Sequence, residues 1–239
     1  MNWLTKISGQ AIQVTQEMRD FARETADTIA NMTDEQFQEG WKSDLFSKVG
    51  HFLVYKKAFD YKNYKLAIYV GIAPESDAKG AAGRAKILEN PSNIITGRIL
   101  LYMDSPKRRT SGTLYYTILH ELVHLIDPKI DSGRVDRSKW KSSKTPRIVQ
   151  LPDGTYKPST DYYTKPSEID AYMAEFAERI VDNYKYTLKL DKATALENIK
   201  YRSPHPQLNS EQSWYKNPKI WRKYMNTLYQ AIERAYSTE

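Results

Sequence analysis

The chain contains no cysteine, and this absence limits its chemistry. Neither a disulfide framework nor a thiolate metal site is available, so a bound metal would have to be held by His, Asp or Glu. No apolar run approaches the roughly 18 to 20 residues of a membrane span, and the opening Met1-Asn2-Trp3-Leu4 does not lead into a signal-peptide core. We therefore expect no export signal and a cytoplasmic or virion-associated protein.

Glycine and proline are also few, with 10 and 11 residues in a chain of 239. Together with 40% hydrophobic and 27% charged residues, this composition excludes collagenous, low-complexity and disordered classes. The length predicts one domain, or one and a fraction, with a sizeable core. The net charge of +7 is moderate and does not by itself identify an anionic partner.

The first 50 residues predict a helical segment that packs on the rest of the chain or extends from it. Apolar residues at steps of three and four predict a helix over residues 3 to 30, with the seam Leu4, Ile7, Ala11, Val14, Met18 and Phe21. This apolar seam packs either on the domain's own core or on a partner, which residues 4 to 21 would then contact. The capping box Thr33-Asp34-Glu35-Gln36 starts a second helix with inner residues Phe37, Trp41, Leu45 and Phe46.

Residues 51 to 239 are predicted to form the main domain, which begins with strands. Segments 51 to 56, 64 to 72 and 93 to 103 are rich in β-branched and aromatic residues, which favours a sheet. Residues 76 to 89 are left open as a loop or a weak helix, because interior glycines disfavour helix. A hairpin is predicted where Pro152-Asp153-Gly154 divides residues 147 to 156.

The second half of the chain predicts four helices. The first covers residues 111 to 126 with Ser111 or Thr113 as its N-cap, and the second starts with Ser167 as N-cap and Asp170 three residues later. Two more helices are expected at about 191 to 201 and 218 to 236.

The informative motif is Leu119-His120-Glu121-Leu122-Val123-His124, which lies on the predicted helix 111 to 126. Residues four apart share one helix face, so both imidazoles can bind one metal, while Glu121 lies about 100° round the helix and can address a water on that metal. Zinc with three protein ligands keeps a fourth position for water. The pattern therefore predicts zinc hydrolysis with Glu121 as general base.

This motif resembles that of the zincin metallopeptidases. A metzincin extension is missing, because Asp127 and Ile130 occupy the places of its glycine and third histidine. In the gluzincin branch the third ligand is a glutamate on a later helix, commonly followed at three residues by Ala and at four by a carboxylate. The resemblance thus implies Glu168 as the ligand and Ala171 as the small residue, although Tyr172 replaces the carboxylate.

The chain is distantly similar to the catalytic domain of the anthrax lethal factor type. That resemblance implies a transition-state tyrosine shortly before the third ligand, for which Tyr163 is preferred over Tyr162. Asp127 is a candidate to brace a ligand histidine. Asp170 is the main rival to Glu168 as ligand, and the other rivals are Asp127, Asp131 and Asp136.

The resemblance implies an α+β zincin-like fold: a small twisted sheet, the active-site helix and a mainly helical lower half. Zinc would be the cofactor, and a protein or peptide would be the substrate, lying along a sheet edge for which residues 99 to 103 are the candidate. An alternative is a zincin-shaped structural or assembly protein, possibly virus-encoded, with little or no turnover. A third is a nucleic-acid-associated protease with acidic substrates, favoured by the basic residues 134 to 147 and Lys107 to Arg109.

Overall fold

The protein has an α+β fold, which confirms the coarse part of the predicted class. The computed structural model describes the following residues: 14–43, 49–61, 64–78, 81–89, 94–126, 148–150, 156–158, 166–206 and 208–237. In these residues a four-stranded mixed sheet is accompanied by a two-stranded sheet and seven α-helices. The chain divides into two compact units, residues 14–159 and residues 160–239 with 1–13. The predicted boundary at residue 50 stays a prediction.

The main sheet has the strand order β1-β2-β4-β3. Its strands are β1 (Phe52–Tyr61), β2 (Tyr64–Ala73), β3 (Gly83–Glu89) and β4 (Ile94–Tyr102). β1 pairs antiparallel with β2, β2 pairs parallel with β4, and β3 pairs antiparallel with β4. β4 is thus an inner strand, and β3 is an edge strand although it precedes β4 in the chain.

This topology confirms three predicted strands and corrects one expectation. Residues 99 to 103 were expected to form the free edge, but β4 is paired on both sides and cannot accept an added strand. The edge strand beside β4 is β3. It lies in the segment 76 to 89, for which the sequence did not decide between a loop and a weak helix because of its glycines. That strand alternates polar and apolar residues, and Ala85 is buried between the exposed Arg84 and Lys86.

One face of the sheet, called here the inner face, packs against two helices. Leu66, Ile68, Ile99 and Leu101 alternate along β2 and β4 and are all at most 1% exposed. Helices α1 (Gln16–Ala30) and α3 (Ser111–Leu125) pack against each other, α1 against β1 and α3 against β3 and β4. This layer supplies the core that the predicted amphipathic patterns require.

The helix starts follow side-chain caps. Thr110 caps α3 by accepting from the Thr113 amide at 3.2 Å, so the prediction of Ser111 or Thr113 as cap was wrong by one position. In α2 (Asp34–Lys42) the predicted capping box of Thr33 and Gln36 is confirmed, and Phe37 is buried. The predicted helix 3 to 30 was wrong as one continuous helix, because Thr15 has an extended backbone and caps α1 at Gln16 by accepting from the Met18 amide. Leu45, Phe46 and residues 3 to 13 lie outside the described residues.

The second unit is helical. Its helices are α4 (Pro166–Asp182), α5 (Lys192–Lys200), α6 (Asn209–Tyr215) and α7 (Pro218–Tyr236). Around Trp214 and Tyr224, both fully buried, the apolar faces of these helices form one core. Helix α7 matches its prediction, whereas α6 was not predicted. Because α4 begins at Pro166, Ser167 lies inside its first turn and is not the predicted N-cap.

The predicted hairpin is confirmed by the antiparallel pairing of β5 (Ile148–Gln150) with β6 (Tyr156–Pro158). None of the helices in the described part of the chain combines the length and the apolar content that a membrane crossing requires.

Candidate metal centre

Helix α3 carries the histidine motif and is buried on nearly every side. Its apolar residues pack toward both α1 and the sheet, so the helix has no broad polar face. His120 and Glu121 are each only 7% exposed, and His124 is half-buried. Polar side chains are costly to bury, so their presence here demands a specific arrangement.

The two imidazoles of the motif converge. The Nε2 atom of His120 lies 3.2 Å from the Nε2 atom of His124, and the ring planes are inclined by 77°. Two nitrogens bound to one tetrahedral zinc at its usual bond length would lie about 3.3 Å apart. The observed spacing therefore matches that of two ligands on one ion.

Glu168 joins these histidines as a candidate ligand. Glu168 belongs to the first turn of α4 and is only 2% exposed. The resemblance implies it as the third ligand, and that assignment stays a prediction; His120, His124 and Glu168 are residues of the kind that could hold a metal ion.

Glu121 lies against the edge strand β3. A Cβ atom placed on Gly83 would be 3.0 Å from the Glu121 Cγ atom and 3.1 Å from its Oε1 atom. The main chain of β3 therefore approaches Glu121 so closely that a Cβ at position 83 would require a shift of a few tenths of an ångström. A second close approach occurs at Gly97 in β4, where a Cβ would meet the Leu125 Cδ1 atom at 2.7 Å.

Asp170, the rival ligand, has another partner. Its Oδ1 atom forms an ion pair with the Lys223 ammonium of α7. The capping role that was its alternative explanation is wrong, because Ser167 does not cap α4. Ala171, the small residue that the resemblance implied, is fully buried.

Several predicted site residues lie outside the described part of the chain. They are the two tyrosines Tyr162 and Tyr163, the acidic residues Asp127, Asp131 and Asp136, and the basic segment 134 to 147. Their roles stay predictions.

Two of the basic residues before α3 have partners in the fold. The Lys107 ammonium forms an ion pair with Asp34 at 2.6 Å, and this contact raises the pKa of Lys107. The Arg109 guanidinium donates to the Ala82 carbonyl at 3.1 Å. These contacts link the residues just before α3 to α2 and to Ala82, which immediately precedes β3.

Gly83 is the feature of the site that sequence reasoning missed. The signal was present in the alternation of residues 83 to 88, in which small or apolar residues at 83, 85 and 87 face one side. Gly80 and Gly83 itself concealed the strand. No family model, no curated protein and no solved structure matches this chain.

Proposed function

We propose that the protein is a zinc-dependent hydrolase of peptide bonds, of zincin type. The observation that carries the proposal is the 3.2 Å approach of the His120 and His124 Nε2 atoms on a buried helix, next to Glu121. A pair of imidazoles joined by one hydrogen bond would give the same distance, and the metal content measured below distinguishes the two explanations.

The donor set fits zinc. Two imidazole nitrogens and one carboxylate oxygen are borderline ligands typical of three-ligand catalytic zinc sites. When bound, zinc supplies a Lewis acid and lowers the pKa of a water ligand toward about 7.

Glu121 is the proposed general base. Glu121 follows His120 on α3, so its side chain lies about 100° round the helix from that of His120. Its carboxylate takes a proton from the attacking water and returns it to the leaving amine. Gly83 keeps the carboxylate close to β3, whose free edge offers main-chain donors and acceptors to an extended peptide.

Metal content tests the ligands. Purified protein, stripped with chelator and dialysed against zinc, should hold about one zinc per chain. His120→Ala and Glu168→Gln should each remove most of it, whereas Asp170→Asn, which loses the contact with Lys223, should keep it. Zinc retained by Glu168→Gln and lost from Asp170→Asn would reverse the assignment of the third ligand.

Turnover tests the reaction separately. Cleavage of a quenched fluorescent peptide library should fall about 10²- to 10⁴-fold in Glu121→Gln, while the zinc content stays unchanged. Glu39→Gln, which removes an exposed carboxylate on α2, is the matched control and should leave turnover unchanged. Zinc binding without turnover in the unaltered protein would instead favour the zincin-shaped structural protein.

A further inference from the structure

The face of the main sheet opposite α1 and α3, called here the outer face, carries an unbalanced set of charges. Alternation along the strands and the pairing registers assign to it five cations, one from β1, one from β2, two from β3 and one from β4. They are Lys56, Lys65, Arg84, Lys86 and Arg98. All but the half-buried Arg98 are exposed. Against these five cations, the same registers assign two acidic residues to this face, Asp60 and Glu89.

These five cations are not neutralised within the described part of the chain. None of them forms an ion pair with a described residue. Lys86 and Arg98 are direct cross-strand partners, a placement that is destabilising for like charges. Arg98 also approaches the His51 Nε2 atom at 3.4 Å, and burial, with this guanidinium adding to it, lowers the pKa of His51. The fold therefore tolerates a positive cluster that it does not need for its own packing.

An aromatic residue lies inside this cluster. Tyr69 pairs with Lys56 on one side and with Arg98 on the other, so the row across the sheet reads Lys56, Tyr69, Arg98, Lys86. This row spans about 14 Å at the usual strand spacing. Tyr69 itself is 38% exposed. Apolar Leu53 and Ile94, at 42% and 45% exposure, lie on the same face.

The helix contacts described above all fall on the inner face. Phe37 of α2 and Phe21 of α1 meet Phe52 and Phe59, and Leu125 of α3 lies over Gly97. The outer face thus remains open to solvent in the described residues, as the exposure of Lys56, Lys65, Arg84 and Lys86 indicates.

We propose that the outer face binds single-stranded nucleic acid. Cations spread over four strands fit an extended polyanion better than one small anion, and the aromatic between two cations fits a base stacked beside charged phosphates. An acidic peptide would satisfy the charges but would leave Tyr69 without a stacking partner. This surface is separate from the metal ligands, and the inference does not depend on the proposed hydrolase activity.

The test is binding of a short fluorescent oligothymidylate, followed by anisotropy between about 50 and 200 mM salt. The triple variant Lys56→Gln, Arg84→Gln, Lys86→Gln should weaken binding at least about tenfold and reduce the slope of log affinity against log salt by about 2. The matched control Lys216→Gln, Lys219→Gln, Arg222→Gln removes three exposed cations of the other unit and should change neither the affinity nor the slope.

Stacking is tested at Tyr69. Tyr69→Ala should weaken oligothymidylate binding about tenfold with the salt slope unchanged, and Tyr69→Phe should restore it. The proposal is overturned if the control triple weakens binding as much as the outer-face triple, or if neither triple alters it. It is also overturned if a polyglutamate peptide or phosphatidylserine vesicles compete as well as unlabelled oligothymidylate. Zinc content and peptide cleavage are measured on the same preparations, so a folding defect would be detected independently.

Discussion

Two groups of buried polar side chains, one around Glu211 and one formed by the proposed metal ligands, differ in how their charges are satisfied. In the helical unit the fully buried Glu211 accepts from the Arg202 Nη2 atom and the His205 amide, both at 2.7 Å, and from the Tyr224 hydroxyl at 2.5 Å. The carboxylate thus has a cation and two neutral donors. This group is closed, because the chain itself supplies both signs of charge.

On α3 the polar groups converge in another way. The imidazoles of His120 and His124 direct ring nitrogens at each other, and in the form that binds one metal both of these nitrogens are acceptors. Glu168, the third proposed ligand, would add a further acceptor. The comparison teaches that burial alone does not mark a functional group. The Glu211 group contains its own cation, whereas in the proposed centre a zinc ion would supply one.

The largest effect is expected when the Glu211 carboxylate loses its cation, Arg202. Arg202→Met leaves the Glu211 carboxylate buried without its cation, which should lower the free energy of unfolding by about 3 to 5 kcal/mol. His124→Ala in metal-free protein should cost about 1 kcal/mol or less, because a neutral contact is lost. Urea unfolding of chelator-treated protein measures both. Similar losses for the two variants would contradict the distinction between the groups, and Arg222→Met is the control at an exposed cation of α7.

The next effect concerns the proposed metal ligands. Zinc at about 100 times its dissociation constant should raise the free energy of unfolding by about 2.7 kcal/mol, because the ion binds the folded state. The increase should be absent in His124→Ala and present in Glu121→Gln, since Glu121 is not a proposed ligand. Thermal unfolding with and without zinc provides the measurement. An equal gain in His124→Ala would show that zinc binds elsewhere.

A smaller effect is expected at Gly83, beside the proposed base. Gly83→Ala should push the Glu121 carboxylate away and lower kcat about tenfold, equivalent to about 1.4 kcal/mol, with the zinc content unchanged. Gly112→Ala is a matched control, because a Cβ there meets nothing closer than the Thr110 Oγ1 atom at 4.0 Å. Steady-state peptide cleavage separates kcat from KM. An unchanged kcat would mean that β3 yields to the added methyl group.

The smallest effect is a dependence of stability on alkaline pH. Burial, aided by the hydrogen bond that Tyr55 donates to Glu24, raises the pKa of Tyr55 to about 12. The unfolded phenol titrates near about 10, so this contribution is complete below about pH 10 and is lost as the pH rises toward 12. Urea midpoints measured across this range should decline less in Tyr55→Phe. An identical decline in both proteins would assign the pH dependence to other groups.

Local patterns in the sequence predicted the elements that local forces determine. Helix α7 was predicted with its start at Asn217-Pro218, because Asn217 caps it and its apolar residues repeat at helical spacing. The histidine motif was placed correctly on α3 for the same reason. Glu168 came from a resemblance rather than from spacing, since nothing local connects it with His120.

Features that depend on distant pairing escaped prediction. Strand order cannot be read from alternation, so β4 was assigned to the edge although β3, earlier in the chain, occupies it. Gly83 was missed together with its strand, because glycine weakens the local strand signal where the site needs a close approach. Asp170 was explained by a cap, whereas its partner Lys223 lies more than fifty residues later.

The strand order also determines when the site can assemble during synthesis. Within the main sheet β3 pairs only with β4, so a nascent chain that ends before residue 94 can form the β1–β2 hairpin but gives β3 no partner. Once β4 has emerged, it joins the hairpin to β3 and leads directly toward α3. Gly83 and Glu121 therefore come together late, through contacts of long sequence separation that fold slowly. A ribosome-bound intermediate that ends before β4 would therefore hold neither β3 nor Glu121 in its final position.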